Sequence, residues 1–440
     1  MPAPLSRRHL LQGGSLLAAT AALTSLPLQA TAQETSRASS SRRLQFNPDG
    51  TFRIMQFNDT QDSPLTDRRT IEFMEKALDE AKPDFALING DVINGDPTTA
   101  EEVYQAINNV VLPMENRSIP WAVTFGNHDE DSAESNGTGV FEAQMLEFLR
   151  QYAHNYNPAD DPIVGHSNGQ LLINDSAGNP GKFAIWLLDS GRYAPEDPAG
   201  QSTEGLKDYD WIRPEQIRWY TDTSIATEKE FGRKVPGLMF FHIPTFEHHH
   251  MWYGQQFTSN EIERHKAAER HGIVGEKNED CYTGLFNSGI YAAAFERGDI
   301  LGMYCGHDHI NTYMGNYYGI ELGYGPGTGF GTYGLNDGTW HMHTLRGARV
   351  FELNENSERV YDSTRLIFAK DLGVDMNPQP QPLDAPAEFP ESVRPIAGAD
   401  SADSAGPIAG ADSADSAGSA GSILPNLSSE LGSSGWDSSQ

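Results

Sequence analysis

Five short stretches of this chain place acidic, amide or imidazole side chains directly after an apolar run. The clearest is FGNHDE at residues 125–130, where the run from Trp121 to Phe125 gives way to Gly, Asn, His and Asp. Such a change is typical of a buried strand that delivers chemistry at its carboxyl end. The five stretches together contain the candidate metal ligands Asp59, Gln61, Asp91, Asn127, His242, His307 and His309.

These candidate ligands are oxygen or nitrogen donors, and no cysteine is among them. A mixture of carboxylate, imidazole and carboxamide suits cations such as Mn, Fe or Zn. Two metal ions about 3.5–4 Å apart form a clamp for in-line displacement at phosphorus. One carboxylate must bridge such a pair, and Gly90-Asp91 offers a carboxylate after a residue that permits close backbone approach. The sequence therefore favours a dinuclear site for phosphoryl chemistry.

Strand-like and helix-like patterns alternate from about residue 48 to residue 370. TFRIMQFND predicts a strand, TDRRTIEFMEKALDEAK predicts an amphipathic helix, and DFALINGD predicts the next strand. This alternation favours a layered α/β core in which the strand ends meet at one edge. Residues 311–370 instead predict antiparallel strands joined by Gly-rich turns.

In their order and spacing, the polar stretches resemble the motifs of the calcineurin-like metallophosphoesterases, a superfamily that includes the purple acid phosphatases. The resemblance covers about residues 48–370, and LLDSGRY and FNSGIYAAAFERGD look like a purple-acid-phosphatase-like subgroup. It implies a four-layer α/β (α+β) sandwich of two mixed β-sheets flanked by helices, with a dinuclear metal site at the carboxyl ends of the strands. The motifs that carry it are DTQ (59–61), GD (90–91), GNHD (126–129), FFHIP (240–244) and GHDH (306–309).

The resemblance also implies a role for each motif residue. His128 would protonate the leaving oxygen or stabilise the transition state, and Asp129 would orient its ring. A metal-bound hydroxide would attack phosphorus. Asp91 would bridge the two metals. Asp59 and His309 would hold the first metal, and the second would be held by Asn127, His242 and His307.

The first motif departs from the family pattern, because Gln61 stands where D-x-H families have a histidine. We expect Gln61 to ligate weakly, to act through a water, or to leave the first metal loosely held, with Asp62 in reserve. Asn94 stands where purple acid phosphatases have a tyrosine, so we expect no tyrosinate-to-iron colour. The cluster FEHHHMWYG (246–254) is predicted to be a surface loop near the mouth of the site rather than a metal site.

The N-terminus has the features of a twin-arginine-type signal peptide over residues 1–32. Arg7 and Arg8 precede a moderately apolar stretch, and Ala30-Thr31-Ala32 forms a small-x-small cleavage pattern. We therefore expect an exported protein of the cell wall, periplasm or extracellular medium, with a flexible leader over residues 33–47. No later stretch is a candidate transmembrane segment.

Residues 371–440 are rich in Ala, Ser, Gly and Asp, and a twelve-residue unit at 395–406 recurs at 407–418. This composition predicts a disordered tail that either associates with a cell wall or only solubilises the protein. The catalytic domain is accordingly expected over residues 48–370.

The formal net charge of −30, from 61 acidic and 31 basic residues, opposes coating of a nucleic-acid scaffold. Cys281 and Cys305 either pair or remain thiols, and the apolar run before Cys305 slightly favours thiols. The sequence predicts an exported hydrolase of small phosphate esters that uses two divalent or trivalent metal ions. A phosphomonoesterase is favoured; the alternatives are a phosphodiesterase acting on nucleotides, lipids or wall polymers, and a non-catalytic metal-binding wall protein.

Overall fold

The computed structural model describes residues 43–206, 209–254, 261–334 and 343–396. The predicted signal peptide, the leader before Arg43 and the repeats from residue 397 onward lie outside the described residues.

The first half of the described chain alternates strands and helices. Its elements are β1 (Leu44–Gln45), β2 (Thr51–Phe57), α1 (Arg68–Ala81), β3 (Phe85–Asn89), α2 (Ala100–Glu115), β4 (Trp121–Thr124), α3 (Asp131–Ser135), α4 (Glu142–Leu149), β5 (Gly169–Asn174) and β6 (Phe183–Leu187).

The second half continues this pattern and then adds antiparallel strands. Its elements are α5 (Pro214–Phe231), β7 (Gly237–Phe240), α6 (Phe246–Tyr253), α7 (Glu261–His271), α8 (Ile290–Arg297), β8 (Ile300–Cys305), β9 (Met314–Tyr317), β10 (Ile320–Tyr324), β11 (Gly347–Asn354) and β12 (Tyr361–Phe368). Short 3₁₀ turns occur at Pro198–Gly200 and Ala369–Leu372.

The strands form two mixed sheets. One has seven strands in the order β1-β5-β6-β7-β8-β10-β9, and the other has five in the order β12-β11-β2-β3-β4. The strands β2, β3 and β4 run parallel to one another, as do β6, β7 and β8. The predicted antiparallel run is divided between the sheets, because β9 pairs with β10 in one and β11 with β12 in the other.

Three buried apolar clusters establish the four layers. Side chains of both sheets, such as Ile54 of β2 and Phe240 of β7, form the central cluster. A second cluster joins the five-stranded sheet to α1, α2 and α4, and a third joins the seven-stranded sheet to α5, α6 and α8. The sandwich of two mixed sheets flanked by helices is therefore confirmed.

Local sequence explains where α1 begins and ends. The Asp67 side chain accepts a hydrogen bond from the backbone N–H of Arg69 and caps the first turn. Lys82 ends the helix in the left-handed conformation, with φ of 48°. Met74, Leu78 and Ala81 lie on the buried face, as the periodicity predicts.

The predicted domain boundaries at 47/48 and 370/371 were too narrow. Before residue 48, β1 pairs with β5 and Phe46 is buried in the central cluster. After residue 370, Val374 and Val393 are buried in the cluster that contains α1 and α2. The segment 371–396 therefore packs against the domain, because its few large apolar side chains find partners there.

The His-rich stretch predicted as a loop is the helix α6. His248 lies on the buried face of this helix, and its Nδ1 is 3.0 Å from Oγ1 of Thr245 at the start of the helix. Cys281 and Cys305 are buried thiols, as favoured from the sequence. Among the residues that the structure describes, no helix combines the length and the hydropathy that crossing a bilayer requires.

Candidate metal centre

The ends of five parallel strands deliver the candidate ligands. Asp59 lies two residues beyond the end of β2, and Asp91 lies two residues beyond the end of β3. Asn127 follows β4, while His242 and His307 follow β7 and β8 of the other sheet. Because both sheets direct these ends to one edge of the sandwich, residues far apart in sequence meet there.

The side chains meet in two groups that share one carboxylate. Ligand atoms of Asp91, His242 and His307 all lie within 4.8 Å of one another, as do those of Asp59, Asp91 and His309. Nε2 of His242 is 3.0 Å from Oδ2 of Asp91, and Nε2 of His309 is 3.5 Å from Oδ1 of Asp59. Asp91 thus occupies the position that a bridging ligand between two cations requires.

Several of these buried polar atoms have no hydrogen-bond partner. A buried donor or acceptor without a partner is costly, so such a concentration points to a ligand. The unpartnered atoms are Asp59 Oδ2, Gln61 Oε1 and Asn127 Oδ1. All three belong to the predicted ligand set, and their chemistry fits divalent or trivalent cations.

The three imidazoles of the site differ in their electrostatics: although burial alone would lower the pKa of His242, the carboxylate of Asp91 raises it to about 10. Nδ1 of His242 lies 3.0 Å from the carbonyl oxygen of Asn89, which leaves Nε2 directed at the carboxylates. Burial lowers the pKa of His307 and the pKa of His309 well below the ordinary histidine value. Burial also raises the pKa of the Asp59 carboxyl to about 7.

The backbone at the strand ends is strained. Asp59, Gln61, Asp91 and His307 have positive φ values of 49°, 32°, 47° and 71°. Such conformations cost on the order of 1–3 kcal/mol each and concentrate at functional sites. The close approach also requires glycine, because a Cβ atom at Gly90 would lie 2.3 Å from Nδ1 of His242.

His128 lies at the rim of this site, and its partner differs from the one expected. Nδ1 of His128 is 2.6 Å from Oδ2 of Asp131, at the start of α3. Its backbone N–H donates to Oδ1 of Asp91. Although burial alone would lower the pKa of His128, the hydrogen bond to Asp131 and the nearby carboxylates raise it.

The prediction that Asp129 orients the His128 ring was wrong. Oδ1 of Asp129 accepts the backbone N–H groups of Val92 and Ile93, and Oδ2 accepts that of Gly126. Asp129 therefore fixes the turns after β3 and β4. In the sequence, the only signal for this contact is that Asp131 stands three residues after His128. Because other acidic residues lie beside it, the backbone geometry is needed to show which of them reaches the His128 ring.

The remaining candidates around the site take defined places. Gln61 is buried at the site. The Asp62 carboxylate accepts hydrogen bonds from the backbone N–H groups of Ser63 and Asp67 and from the Thr70 hydroxyl. Asp62 is therefore not a reserve ligand for the first metal. Arg192 donates to Asp131 at 2.8 Å and also contacts Glu130. It therefore stabilises the segment carrying His128.

This site belongs to a known class. The model of the family described as calcineurin-like phosphoesterase matches residues 52–311, more than half of the chain. The chain is therefore a member of the calcineurin-like phosphoesterase family, a class of metal-dependent phosphoric ester hydrolases with two-metal centres.

Individual relatives cover most of the chain at low identity. "Probable inactive purple acid phosphatase 14" of Arabidopsis thaliana is 28% identical over 326 residues, which is 67% of this chain and 74% of the relative. "Probable inactive purple acid phosphatase 29" of the same plant is 27% identical over 377 residues, 78% of this chain and 86% of the relative. A solved dimetal phosphatase of Danio rerio is 11% identical with a TM-score of 0.42, over 72% of this chain and 99% of its own.

Proposed function

We propose that this protein is an exported phosphomonoesterase whose two metal ions are bridged by Asp91. The observation that carries the metal assignment is the pair of ligand groups that share this carboxylate. The unpartnered oxygen atoms of Asp59, Gln61 and Asn127 support the same arrangement. When bound, the two ions would supply Lewis-acid charge at the phosphate and a nucleophile near neutral pH.

We assign the ligands by group. The first ion would be held by Asp59 and His309, with Gln61 as a weak additional ligand. The second would be held by Asn127, His242 and His307. The donor set suits Mn, Fe or Zn, and the carboxamide of Gln61 in place of an imidazole weakens the first site relative to the second.

The protein's own groups would act on the leaving oxygen and on the phosphate. His128 is partly exposed at the rim and carries the raised pKa that suits a proton donor. Asp131 would hold its Nδ1 so that Nε2 faces the substrate and delivers a proton to the departing oxygen. Tyr193, whose hydroxyl accepts from Nδ2 of Asn127 at 3.3 Å, would fix the amide oxygen toward the second metal.

The names of two relatives describe them as inactive, which keeps the non-catalytic alternative in view. Complete ligand groups and a positioned His128 argue for turnover in this chain. The phosphodiesterase alternative differs only in substrate, and the metal clamp itself does not choose between the two.

The test is hydrolysis of p-nitrophenyl phosphate and of bis(p-nitrophenyl) phosphate by the purified chain with Mn²⁺. We expect metal-dependent turnover that is faster on the monoester and is abolished, with reduced metal content, in Asp91→Ala and His307→Ala. Faster diester cleavage would replace the monoesterase proposal. Metal-loaded protein that cleaves neither ester would support the non-catalytic alternative.

Export is a separate proposal that rests on the N-terminal pattern of residues 1–32. The repeats of the tail suggest association with a cell wall. Replacing Arg7 and Arg8 by Lys should retain the precursor inside the cell, and secretion of that variant at the normal level would oppose a twin-arginine route.

A further inference from the structure

Three tyrosines form an aromatic rim beside the proposed second metal site. We define the aromatic rim as Tyr193, Tyr209 and Tyr282. The Tyr209 ring centroid is 4.3 Å from that of His307, in an edge-to-face arrangement. The ring centroids of Tyr193 and Tyr282 lie 6.1 Å and 6.3 Å from that of Tyr209.

The aromatic rim is held in place by its backbone. Tyr193 and Tyr209 form an antiparallel bridge, and the N–H of Asp210 donates to the carbonyl of Arg192. The N–H of Tyr282 lies 3.3 Å from Oδ2 of Asp308, the residue between two proposed metal ligands. A substrate group that contacts the rim is therefore placed at a defined distance from the metals.

Two rings of the rim remain open to solvent. Tyr193 and Tyr282 are each 39% exposed, whereas most large aromatic side chains of the described domain are buried. The Tyr193 side also borders a cavity of about 520 Å³ that is lined by Glu196, Asp197 and Glu204. These carboxylates are acceptors for amino groups, such as the exocyclic amino group of a nucleobase.

We propose that the aromatic rim binds a planar ring carried by the leaving group of the substrate, so that the site prefers phosphate esters of ring-bearing alcohols, nucleotides first among them. This inference rests on the proposed function and names the substrate class of the same site. Aromatic side chains stack on any planar ring, so the aromatic rim favours substrates with a planar ring. The carboxylates of the cavity add a preference for bases that carry an amino group. The contact lies on the leaving group and therefore adds binding without altering the chemistry at phosphorus.

The test compares substrates that share a leaving oxygen and differ in the ring. Adenosine 5′-monophosphate and ribose 5-phosphate form one pair, and benzyl phosphate and cyclohexylmethyl phosphate form the other; methyl diesters replace them if the protein cleaves diesters. We expect kcat/KM to be about tenfold higher for adenosine 5′-monophosphate than for ribose 5-phosphate. A preference in the benzyl pair as well would identify stacking on any aromatic ring, and its absence would identify the nucleobase.

Variants separate this subsite from the metal site. Tyr282→Leu, which leaves the contact of Tyr193 with Asn127 in place, should bring the ratio within the adenosine pair close to one, whereas Tyr282→Phe should preserve it because the ring remains. Phe295→Leu is the control, since Phe295 is 51% exposed on α8, away from the rim. This variant should keep the ratio of the unmodified protein.

The possible failures are distinguishable. Equal kcat/KM within both pairs, with clear turnover, would overturn the subsite and leave the proposed function intact. An adenosine preference that persists in Tyr282→Leu would overturn the role of the rim. No cleavage of any ester by the metal-loaded protein would overturn the proposed function, and the subsite with it.

Discussion

Two acidic residues near His128 have different surroundings and so different expected roles. Asp131 faces the ring, whereas Asp129 faces three backbone N–H groups. For Asp131→Asn we predict intact metal content and turnover about 10–100-fold slower, as is usual for the partner of a functional histidine.

His128→Ala should retain metal and lose about 10²–10⁴-fold in kcat. Steady-state kinetics with metal analysis measures both, and loss of metal in either variant would make His128 structural.

Asp129→Ala is the matched contrast to Asp131→Asn. It would leave the buried N–H groups of Val92, Ile93 and Gly126 without acceptors, at about 1–3 kcal/mol for each unsatisfied group. We expect a lower free energy of unfolding and less bound metal, measured by urea denaturation and metal analysis. Normal stability with slow turnover would instead restore the orienting role.

Gln61 offers a single buried side-chain oxygen that has no hydrogen-bond partner. We predict that Gln61→His tightens binding of the weaker of the two metal ions, because imidazole is the better donor for these cations. Competition with a chelator measures the affinity. Asp62→Asn is the control, since its three donors already occupy that carboxylate, and it should leave the metal affinity unchanged. An unchanged affinity in Gln61→His would show that position 61 does not face the ion.

At the level of elements, strand positions were predictable and contacts between distant segments were not. The apolar stretches before Asp59, Asp91 and His242 predicted β2, β3 and β7, since each stretch ends abruptly at a polar residue. The helix α6 was missed because FEHHHMWY has no clear apolar stripe. Its only deeply buried positions are His248 and Met251, and burial of a histidine depends on tertiary partners such as Phe241 and Tyr324.

The segment 371–396 is tied to α1 through a buried ion pair. The Arg69 side chain donates two hydrogen bonds to Asp67, and its Nη2 also donates to the carbonyl of Gln379 at 3.1 Å. The backbone N–H of Gln381 donates to the same Asp67. The low content of large apolar residues in this segment predicted disorder. That prediction failed because the sequence does not reveal that α1 supplies polar partners to the segment.

We predict that Arg69→Ala lowers the free energy of unfolding by about 3–5 kcal/mol, because it leaves the buried Asp67 unpaired. Arg68→Ala removes the neighbouring arginine, whose hydrogen bonds with Gln381 are exposed, and should cost less than about 1 kcal/mol. Urea denaturation of the two variants makes the comparison. Equal losses would show that the segment is held by its apolar contacts alone.

On the scale of the whole molecule, two sheets are joined at an edge that concentrates buried charge. The described domain could be assigned to its family from five motifs because each motif is local, but the sharing of Asp91 between two ligand groups required coordinates. The sequence also could not show which atoms lack partners. Burying unpaired charged groups at this edge costs free energy of folding, and bound cations would offset that cost. Metal binding is therefore expected to be coupled to folding.

We therefore predict that metal removal destabilises the protein. Chelation should lower the melting temperature, and Mn²⁺ should restore it. An ion at a thousandfold excess over its dissociation constant stabilises the native state by about 4 kcal/mol. Asp91→Ala, which removes the shared ligand, should show little metal-dependent shift in the melting temperature. A metal-dependent shift of the same size in this variant would place the metals elsewhere.

We propose above that two ions bridged by Asp91 make the active centre. The most direct test is titration of the chelated, purified chain with Mn²⁺ under tight-binding conditions while ester hydrolysis is followed. We predict that activity rises and reaches its plateau at about two equivalents per chain. A plateau at one equivalent, or activity that is indifferent to added metal, would contradict it.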